Sequence, residues 1–252
     1  NNYKEIKAFI EGSVAEDAPI IPISALQEIN LDKVLYELCN IKIEKPNLDE
    51  KPLFLIARSF DINKPGTKVE NLHGGILGGA LKHGVLKVGD IIEIKPGSSH
   101  KKHDEYYYET VKSKIVSMQK GKYQIDEATP GGSLSIETEL DPIFTKADAL
   151  SGSVASKEGN LPEITEKITI EYTLFDKIFG TGKHESIQNL KPDETLMLSL
   201  NTSITVGQAI KISKNSVELL LKIPVVPLKG ESIGIARNLN NHWRLIGFGK
   251  II

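Results

Sequence analysis

Two short runs of the sequence have residue types found in nucleotide-binding motifs. Gly180–His184, with the sequence GTGKH, ends like a phosphate-binding loop, and Asn63–Gly66 begins like the Asn-Lys-x-Asp motif that reads guanine. The first run lacks the Ser or Thr that binds Mg²⁺, and Lys177 stands where the first glycine of such a loop belongs. The second run lacks the Asp that accepts hydrogen bonds from guanine. We therefore predict turns at both places and expect no phosphate cradle and no magnesium ligands for phosphoryl transfer in this chain.

The other residues that often do chemistry are too scattered to form a catalytic or metal-binding motif. Cys39 is the single cysteine, which excludes a disulfide framework and a cysteine zinc cluster, and we expect it to be a small core residue of a helix. His100 and His103 lie in a polar run that favours solvated side chains. The rings of Tyr106–Tyr108 can stack on bases, but we favour strand alternation that buries at least one ring. We predict no catalytic residue and no metal site.

A turn near the start of the chain has the residues of a guanine contact. An apolar run ends in Ser24, Ala25 and Leu26, and a helix begins after Asn30. This turn resembles the Ser-Ala-x turn after the last strand of Ras-like nucleotide-binding domains, where a backbone N–H meets the guanine ring. A buried strand followed by an unrelated helix is the alternative for this segment taken alone.

The elements around this turn have α/β character. Tyr3–Glu11 has the apolar spacing of a helix, and Ala18–Ile23 is predicted to be a strand. Asn30 is a predicted N-cap of a second helix. That helix has an amphipathic stripe at Leu31, Val34, Leu35, Leu38 and Cys39. Residues 1–50 hold 5 basic and 10 acidic residues, so the acidic excess behind the net charge of −2 lies here.

Beyond a proline-containing linker at residues 45–52, short strands and turns replace the helical periodicity. The predicted strands are Leu53–Ser59, Gly74–Leu81, Asp90–Lys95, Tyr106–Val116, Ser133–Glu137, Lys167–Leu174, Glu194–Leu200, Val206–Ser213 and Ser216–Leu221, with one or two more in Glu231–Ile252. Sequential short strands favour closed barrels, because closure leaves no exposed sheet edge. We predict a mainly β chain, with one β-barrel at residues 52–147, a second at 148–252 and an incomplete α/β segment before them.

Four glycines, Gly74, Gly75, Gly78 and Gly79, lie inside one predicted strand. Glycine weakens a strand because it loses more conformational freedom on folding than other residues. Either the barrel bends sharply there, or a ligand or partner approaches the backbone closely. The sequence leaves both explanations open.

Several short sequence segments, taken together, match the sequence pattern of a known protein family. In the first predicted barrel they are Arg58–Gly66, Leu72–Gly79, Gly84–Asp90 and Pro96-Gly97; elsewhere they are Val14–Glu16, Pro19–Ala25, Pro130–Gly132, Leu140–Pro142, Lys146–Asp148 and His242–Gly249. Together they resemble the gamma subunit of eukaryotic and archaeal translation initiation factor 2. The resemblance extends over essentially all 252 residues.

This resemblance implies a translational GTPase that carries methionyl initiator tRNA to the small ribosomal subunit within an alpha–beta–gamma complex. It implies that residues 1–47 are the C-terminal tail of the GTP-binding domain. The phosphate loop, the switch regions and the Asn-Lys-x-Asp motif lie upstream in the family, so we expect this chain to be part of a longer factor. GTP or GDP with Mg²⁺ would bind the intact factor, and we expect neither binding nor hydrolysis by this chain alone.

The resemblance also implies partners and site residues. The alpha subunit docks on the first barrel, the beta subunit binds the GTP-binding domain, and the tRNA acceptor end lies between that domain and the first barrel. Ser24, Ala25 and Leu26 match the guanine-facing turn. Arg58 and the glycines Gly74, Gly75, Gly78 and Gly79 match the family pattern and are expected to border the tRNA or alpha-subunit surface.

The two remaining arginines, Arg237 and Arg244, are also candidates for the tRNA or partner surface, because arginine suits bidentate phosphate contact. Arg244 follows Trp243, so a structural stacking or salt-bridge role is the alternative for it. Neither predicted barrel has a large basic excess, so any basic patch must be local.

Two other classes of protein fit parts of the pattern. The chain could belong to an elongation-factor-like GTPase with another tRNA cargo, or it could be a free-standing β-barrel binding module. Arg58–Gly66 and the run from His242 to Gly247 favour the initiation factor. No apolar run approaches the ~18 residues of a spanning helix, and we expect a cytoplasmic protein with no membrane partner.

Overall fold

The computed structural model describes residues 2–43, 45–103, 105–178 and 186–252 and divides the chain into two compact units, residues 1–45 and 46–252. The run Gly180–His184, predicted to be a turn, lies outside the described residues. The run Asn63–Gly66 does lead into a turn, in which the Thr67 N–H donates to the Lys64 carbonyl at 3.1 Å. No described helix is long and apolar enough to cross a membrane.

The first unit contains two helices, α1 (Asn2–Ile10) and α2 (Leu31–Asn40). Residues 18–23 were predicted to be a strand, but in the described part of this unit the only ladder is an isolated bridge between Ser24 and Ile29. A strand needs a hydrogen-bonded neighbour, and in the described part of this unit no ladder joins residues 18–23 to another segment. The strand prediction was therefore wrong for this unit, although the two helices are where the periodicity placed them.

Two side chains of the first unit also differ from the sequence interpretation. Asn30 occupies the N-cap position of α2, but its backbone is left-handed (φ 58°), and its amide donates to the Pro22 carbonyl at 2.8 Å instead of capping the helix. Cys39 is exposed and not a core residue. None of the residues of α2 is buried, because nothing within the unit covers the apolar stripe.

The second unit begins with a barrel that closes on itself. Its strands are β1 (Leu53–Phe60), β2 (Ile76–His83), β3 (Leu86–Lys87), β4 (Ile91–Lys102), β5 (Glu105–Lys120), β6 (Tyr123–Ile125), β7 (Glu127–Ala128), β8 (Leu134–Thr138) and β9 (Val154–Lys157). Six of them form the ring β4-β9-β1-β2-β8-β5, which closes because β5 pairs back with β4. β6 extends the sheet beside β5, while β3 and β7 pair separately. Alternate residues point inward and make one core, which includes Phe54, Ile56, Leu77, Ile92 and Ile136.

The last strand of this barrel comes later in the chain than the sequence suggested. β9 pairs with both β1 and β4, so the first barrel extends to Lys157, beyond the boundary of 147/148 drawn from the sequence. The four residues of β9 are too short to show the alternation of a strand. Three one-turn 3-10 helices accompany this barrel: Val69–Asn71, Pro142–Phe144 and Lys146–Asp148.

The second barrel contains the remaining strands. They are β10 (Thr165–Leu174), β11 (Thr195–Leu200), β12 (Ser203–Ile212), β13 (Ser216–Val225), β14 (Ser232–Leu239) and β15 (His242–Ile251). They form a closed barrel in the order β10-β13-β12-β11-β14-β15. All neighbours are antiparallel, and the core includes Ile170, Leu196, Leu198, Leu219 and Ile235. The mainly β fold with two closed six-stranded barrels is therefore confirmed.

A buried charged pair lies where the first barrel meets the segment that leads to the second. Lys95 and Glu93 on β4 have side chains that are each only 5% exposed. The Lys95 ammonium donates to the Pro162 carbonyl at 3.2 Å and to Glu163 at 3.1 Å, and Glu93 accepts from the Leu161 N–H at 2.8 Å. Burial of charge is costly unless the polar atoms are paired. The hydrogen bonds therefore fix residues 161–163 against the first barrel.

Candidate functional site

Of the four glycines, Gly78 and Gly79 lie within β2 and Gly74 and Gly75 lie just before it. The structure shows why three of them are needed. A Cβ at Gly74 would overlap the Thr138 carbonyl, one at Gly75 would lie 2.5 Å from the Thr145 methyl group, and one at Gly79 would overlap the Leu55 carbonyl. Gly78 is different, since its nearest neighbour would be the Arg58 Cβ at 3.6 Å, which is ordinary contact. Close backbone packing within the barrel accounts for Gly74, Gly75 and Gly79.

Gly78 and Gly79 form part of an open groove on the outside of this sheet. The groove has a volume of about 550 Å³, and residues that line it include Leu55, Ala57, Arg58, Phe60, Gly78 and Gly79. Arg58 stands directly opposite Gly78 in the β1–β2 ladder. Because Gly78 has no side chain, a ligand in the groove can reach the β2 backbone beside the arginine.

A β-bulge in β1 and an ion pair position Arg58. Ile56 pairs with Gly79 and Arg58 with Gly78, so Ala57 is the extra residue of the bulge, and bulges re-aim neighbouring side chains. The Arg58 Nε donates to both carboxylate oxygens of Asp148, at 2.9 and 3.1 Å. The Ser59 N–H donates to the same carboxylate at 2.9 Å. These bonds fix the guanidinium at its Nε.

The turn that carries Asp148 is held against β1 by further hydrogen bonds. Ala147 and Asp148 have left-handed backbones, with φ of 55° and 60°, a conformation that Asp tolerates better than most residues. The Leu150 N–H donates to the buried Ser59 Oγ at 3.0 Å, and the Ser151 hydroxyl donates to the Ala57 carbonyl at 2.8 Å. The carboxylate is thus placed by the backbone of residues 147–151.

The charges of this pair reinforce each other. The hydrogen bond from Arg58, followed by the bond from the Ser59 N–H, lowers the pKa of Asp148, and the hydrogen bond to Asp148 raises the pKa of Arg58. The Arg58 side chain is 69% exposed, and among the described residues its two terminal nitrogens have no hydrogen-bond partner. A guanidinium held at Nε offers those nitrogens as a fork for phosphate, carboxylate or carbonyl oxygens.

Arg237 has a different environment from the one predicted. Its side chain is 14% exposed and lies in the second barrel, where it forms an ion pair with Glu194. Its terminal nitrogens donate to the Gln188 carbonyl at 2.9 Å and to the Asn189 carbonyl at 3.2 Å. The geometry therefore gives Arg237 a structural role, the anchoring of residues 188–194 on β14.

Arg244 is half-buried on β15 and is the cross-strand neighbour of Arg237. Neither an ion pair nor a ring contact involves it among the described residues. The structure does not bring Arg58 together with Arg237 or Arg244, because the first lies on β1 of one barrel and the others on β14 and β15 of the other.

The Ser24-Ala25-Leu26 turn closes on itself. The Ile29 N–H donates to the Ser24 carbonyl at 3.0 Å, and the Gln27 N–H donates to the Ser24 hydroxyl at 3.3 Å. The N–H groups of Ala25 and Leu26 have no hydrogen-bond partner among the described residues. Both N–H groups can therefore donate to solvent or to a ligand oxygen. No group of three or more His, Cys, Asp or Glu that could hold a metal occurs in the described residues.

Asp148 is the site residue that sequence reasoning missed. The run Lys146–Asp148 contributed to the family resemblance, but the spacing gives no reason to pair Asp148 with an arginine 90 residues earlier. Closure of the barrel brings the two together, and that closure depends on β9, which the sequence did not reveal.

Solved structures share the fold of this chain. The elongation factor SelB from Methanococcus maripaludis, in complex with the GTP analogue GppNHp, matches with a TM-score of 0.72 at 18% identity, over 99% of this chain and 54% of that one. A bacterial selenocysteine-specific elongation factor, EF-Sec, matches with a TM-score of 0.72 at 17% identity, over 98% of this chain and 36% of that one. The two barrels have the fold of domains II and III of translational GTPases.

Sequence relatives identify the family. Residues 166–251 match the family described as "Initiation factor eIF2 gamma, C terminal". The chain is 44% identical over 252 residues to translation initiation factor 2 subunit gamma of Pyrococcus furiosus, covering 99% of this chain and 61% of the relative. It is also 44% identical to the subunit of Methanococcus vannielii, covering 100% of this chain and 62% of the relative. The chain belongs to the gamma-subunit family of translation initiation factor 2 and spans about three fifths of the length of these relatives.

Proposed function

We propose that this chain forms the tRNA-binding and partner-binding barrels of a GTPase that delivers methionyl initiator tRNA to the small ribosomal subunit. The observation that carries this proposal is the Arg58 guanidinium, which is held at Nε by Asp148 and lines a groove together with Gly78, its cross-strand neighbour. An exposed, pre-positioned fork beside an accessible backbone suits the phosphates and carbonyl oxygens of an aminoacylated tRNA end. In this proposal the acceptor end lies between the GTP-binding domain and the first barrel.

The nucleotide would be held mainly by the rest of the full-length protein. Ala25 and Leu26 would donate their backbone N–H groups to the guanine base, and the phosphates with Mg²⁺ would bind outside the described residues. When bound, GTP would supply a hydrolysable phosphoanhydride bond. This chain alone would neither hold nor hydrolyse GTP, because one or two backbone hydrogen bonds contribute only about 1 kcal/mol each.

The proposed assembly is an alpha–beta–gamma complex in the cytoplasm. The alpha subunit would dock on the first barrel, and the beta subunit would contact the GTP-binding domain. Family membership supports a role as an initiation factor subunit. The location of each partner's surface rests on the family resemblance.

The experiment compares variants of the full-length gamma subunit in its GTP-bound form, assembled with the alpha subunit. Arg58→Ala should weaken binding of methionyl initiator tRNA roughly tenfold or more, because a charge-assisted hydrogen bond is lost. Arg58→Lys should restore part of the affinity, since it keeps the charge without the fork. Lys214→Ala, an exposed change on the other barrel, is the matched control.

Two results would count against this proposal. Unchanged tRNA affinity in Arg58→Ala would mean that the groove does not contact the tRNA. Loss of alpha-subunit capture with retained tRNA binding would instead assign the groove to the alpha subunit.

A further inference from the structure

The two long strands of the first barrel continue past its ring as a two-stranded arm, residues 98–109. In the ring, β5 pairs with both β4 and β8, but over the arm the described residues of β4 and β5 pair only with each other. A two-stranded ribbon has no barrel interior, so none of the rings of Tyr106–Tyr108 belongs to the core, and only Tyr108 is half-buried. Tyr106 is 58% exposed and Tyr107 is 52% exposed. The expectation that strand alternation would bury at least one ring is therefore met only by the partial burial of Tyr108.

The three tyrosines line a groove between the arm and the second barrel. The groove has a volume of about 900 Å³, and its opposite wall comes from residues 164–167 at the start of β10 and from residues 220–224 on β13. Tyr108 also lines an adjoining hollow of about 340 Å³, together with Ser99, Ser151, Thr202 and Ser203. The aromatic groove thus continues into a polar, hydroxyl-lined space.

The polar groups of this surface are not all satisfied within the chain. The Thr202 Oγ1 is buried without a hydrogen-bond partner among the described residues, and buried polar atoms usually have one. A tyrosine phenol is protonated at neutral pH and can donate a hydrogen bond, and partial burial, together with the neighbouring Tyr106, raises the pKa of Tyr108 further. Such groups suit a ligand with many oxygen acceptors.

The charged groups of the groove favour an anionic ligand. Lys167 and Lys222 line it with the single carboxylate of Glu166, and in the described part of the chain neither lysine forms an ion pair. Lys167 stands opposite Leu220 in the β10–β13 ladder, so the charge lies beside an apolar wall. Exposed aromatic rings combined with unpaired lysines are the elements that bind single strands, because bases stack on the rings and phosphates pair with the ammonium groups.

We propose that this groove is a binding site for single-stranded RNA, with bases stacked on the tyrosines of the arm and phosphates held by Lys167 and Lys222. The tyrosine groove shares no lining residue with the Arg58 groove, although the adjoining hollow meets that groove at Thr202. It is independent of base sequence, because stacking tolerates every base. A duplex would not use it, since paired bases cannot reach the rings.

The test measures fluorescence anisotropy of a labelled uridine dodecamer RNA with the 252-residue chain. Tyr106→Leu should weaken binding about tenfold, and a second change, Tyr108→Leu, should weaken it further. Tyr123→Leu, a 66% exposed tyrosine on β6, is the matched control and should bind as the unchanged chain does. A thermal melt of each variant shows whether the barrels remain folded, and the Tyr106→Leu variant alone carries the test if the double variant does not fold.

The lysines are tested by salt dependence. For a single strand, log K falls with log salt by about 0.7 per phosphate contact, so Lys167→Gln with Lys222→Gln should lower the slope by about 1.4. Lys214→Gln, in the β12–β13 turn, should leave the slope unchanged. Equal binding of a duplex RNA, or unchanged affinity in the folded Tyr106→Leu variant, would overturn the proposal. Binding of a proline-rich peptide in place of RNA would overturn it in favour of a peptide site.

Discussion

The two barrels each contain an arginine–carboxylate pair, and the pairs differ in how much water reaches them. Arg58 and Asp148 have side chains that are 69% and 38% exposed, whereas Arg237 and Glu194 are 14% and 15% exposed. Arg58 uses only Nε within the chain, and Arg237 uses Nε and both terminal nitrogens. The same residue type thus has two different roles. An arginine whose donors are all bonded within the chain stabilises a barrel, whereas an arginine with two unbonded terminal nitrogens can bind a ligand or partner.

The largest expected effect is on the buried pair. Arg237→Met should destabilise the second barrel by about 3–5 kcal/mol, because Glu194 is left largely buried without its ion-pair partner and keeps only the Lys191 N–H as a donor. Urea unfolding followed by circular dichroism measures the change. Arg244→Met, the cross-strand neighbour without an ion pair among the described residues, is the control and should change stability by less than about 0.5 kcal/mol. Equal losses of stability in Arg237→Met and Arg244→Met would show that the ion pair of Arg237 has no special structural role.

Next in size is a pair of glycine changes beside Arg58. Gly79→Ala should destabilise the first barrel by about 1–3 kcal/mol, because the new Cβ would overlap the Leu55 carbonyl and force the β1–β2 ladder apart. Gly78→Ala should cost far less, since its Cβ has room at 3.6 Å. The same unfolding experiment compares them. If Gly78→Ala preserves stability but weakens tRNA binding by the full-length subunit, the groove contacts the tRNA. If both stability and tRNA affinity are unchanged, the proposal that the groove binds tRNA is contradicted.

A smaller effect should separate the two pairs in double-mutant cycles. The coupling between Arg58 and Asp148, measured with Arg58→Ala, Asp148→Asn and both, should contribute less to stability than the coupling between Arg237 and Glu194. Exposed ion pairs gain little because water screens them. Asp148→Asn should instead lower the affinity of the full-length subunit for tRNA, because the Arg58 guanidinium is then held less firmly. A stability coupling at Arg58 as large as that at Arg237 would contradict this ranking.

The smallest effect concerns pH. The pKa of Asp148 is lowered in the folded state by its bonds to Arg58 and the Ser59 N–H. The stabilisation is therefore fully present above the usual aspartate pKa of about 3.9 and is lost as the pH falls through the lower folded value. Carbon-13 NMR titration of the Asp148 carboxyl should give a midpoint below the usual value. Arg58→Ala should raise that midpoint, and an unchanged midpoint would show that the arginine does not hold the carboxylate.

The sequence predicted those features that depend on local pattern. Alternation and turn residues identified the long strands of both barrels, and the glycines marked places where the backbone of the first barrel is crowded, against β1 at Gly79 and against Thr138 and Thr145 at Gly74 and Gly75. It did not predict β9, which is only four residues long, or the exposure of Tyr106 and Tyr107, which depends on whether a strand has one neighbour or two. Arg58 was found by type and family pattern. Its partner Asp148 was not, because their proximity follows from closure of the sheet and not from spacing.

The pairing of β1 with β9 has a consequence for how such proteins can be assembled over evolution. Phe54 lies opposite Ala155 in an antiparallel ladder, so the first barrel starts and finishes at neighbouring points on its surface. A domain whose ends are adjacent can be joined to other sequences without a change in its interior. The first barrel is therefore built so that other sequences can be joined at both of its ends while its core stays the same.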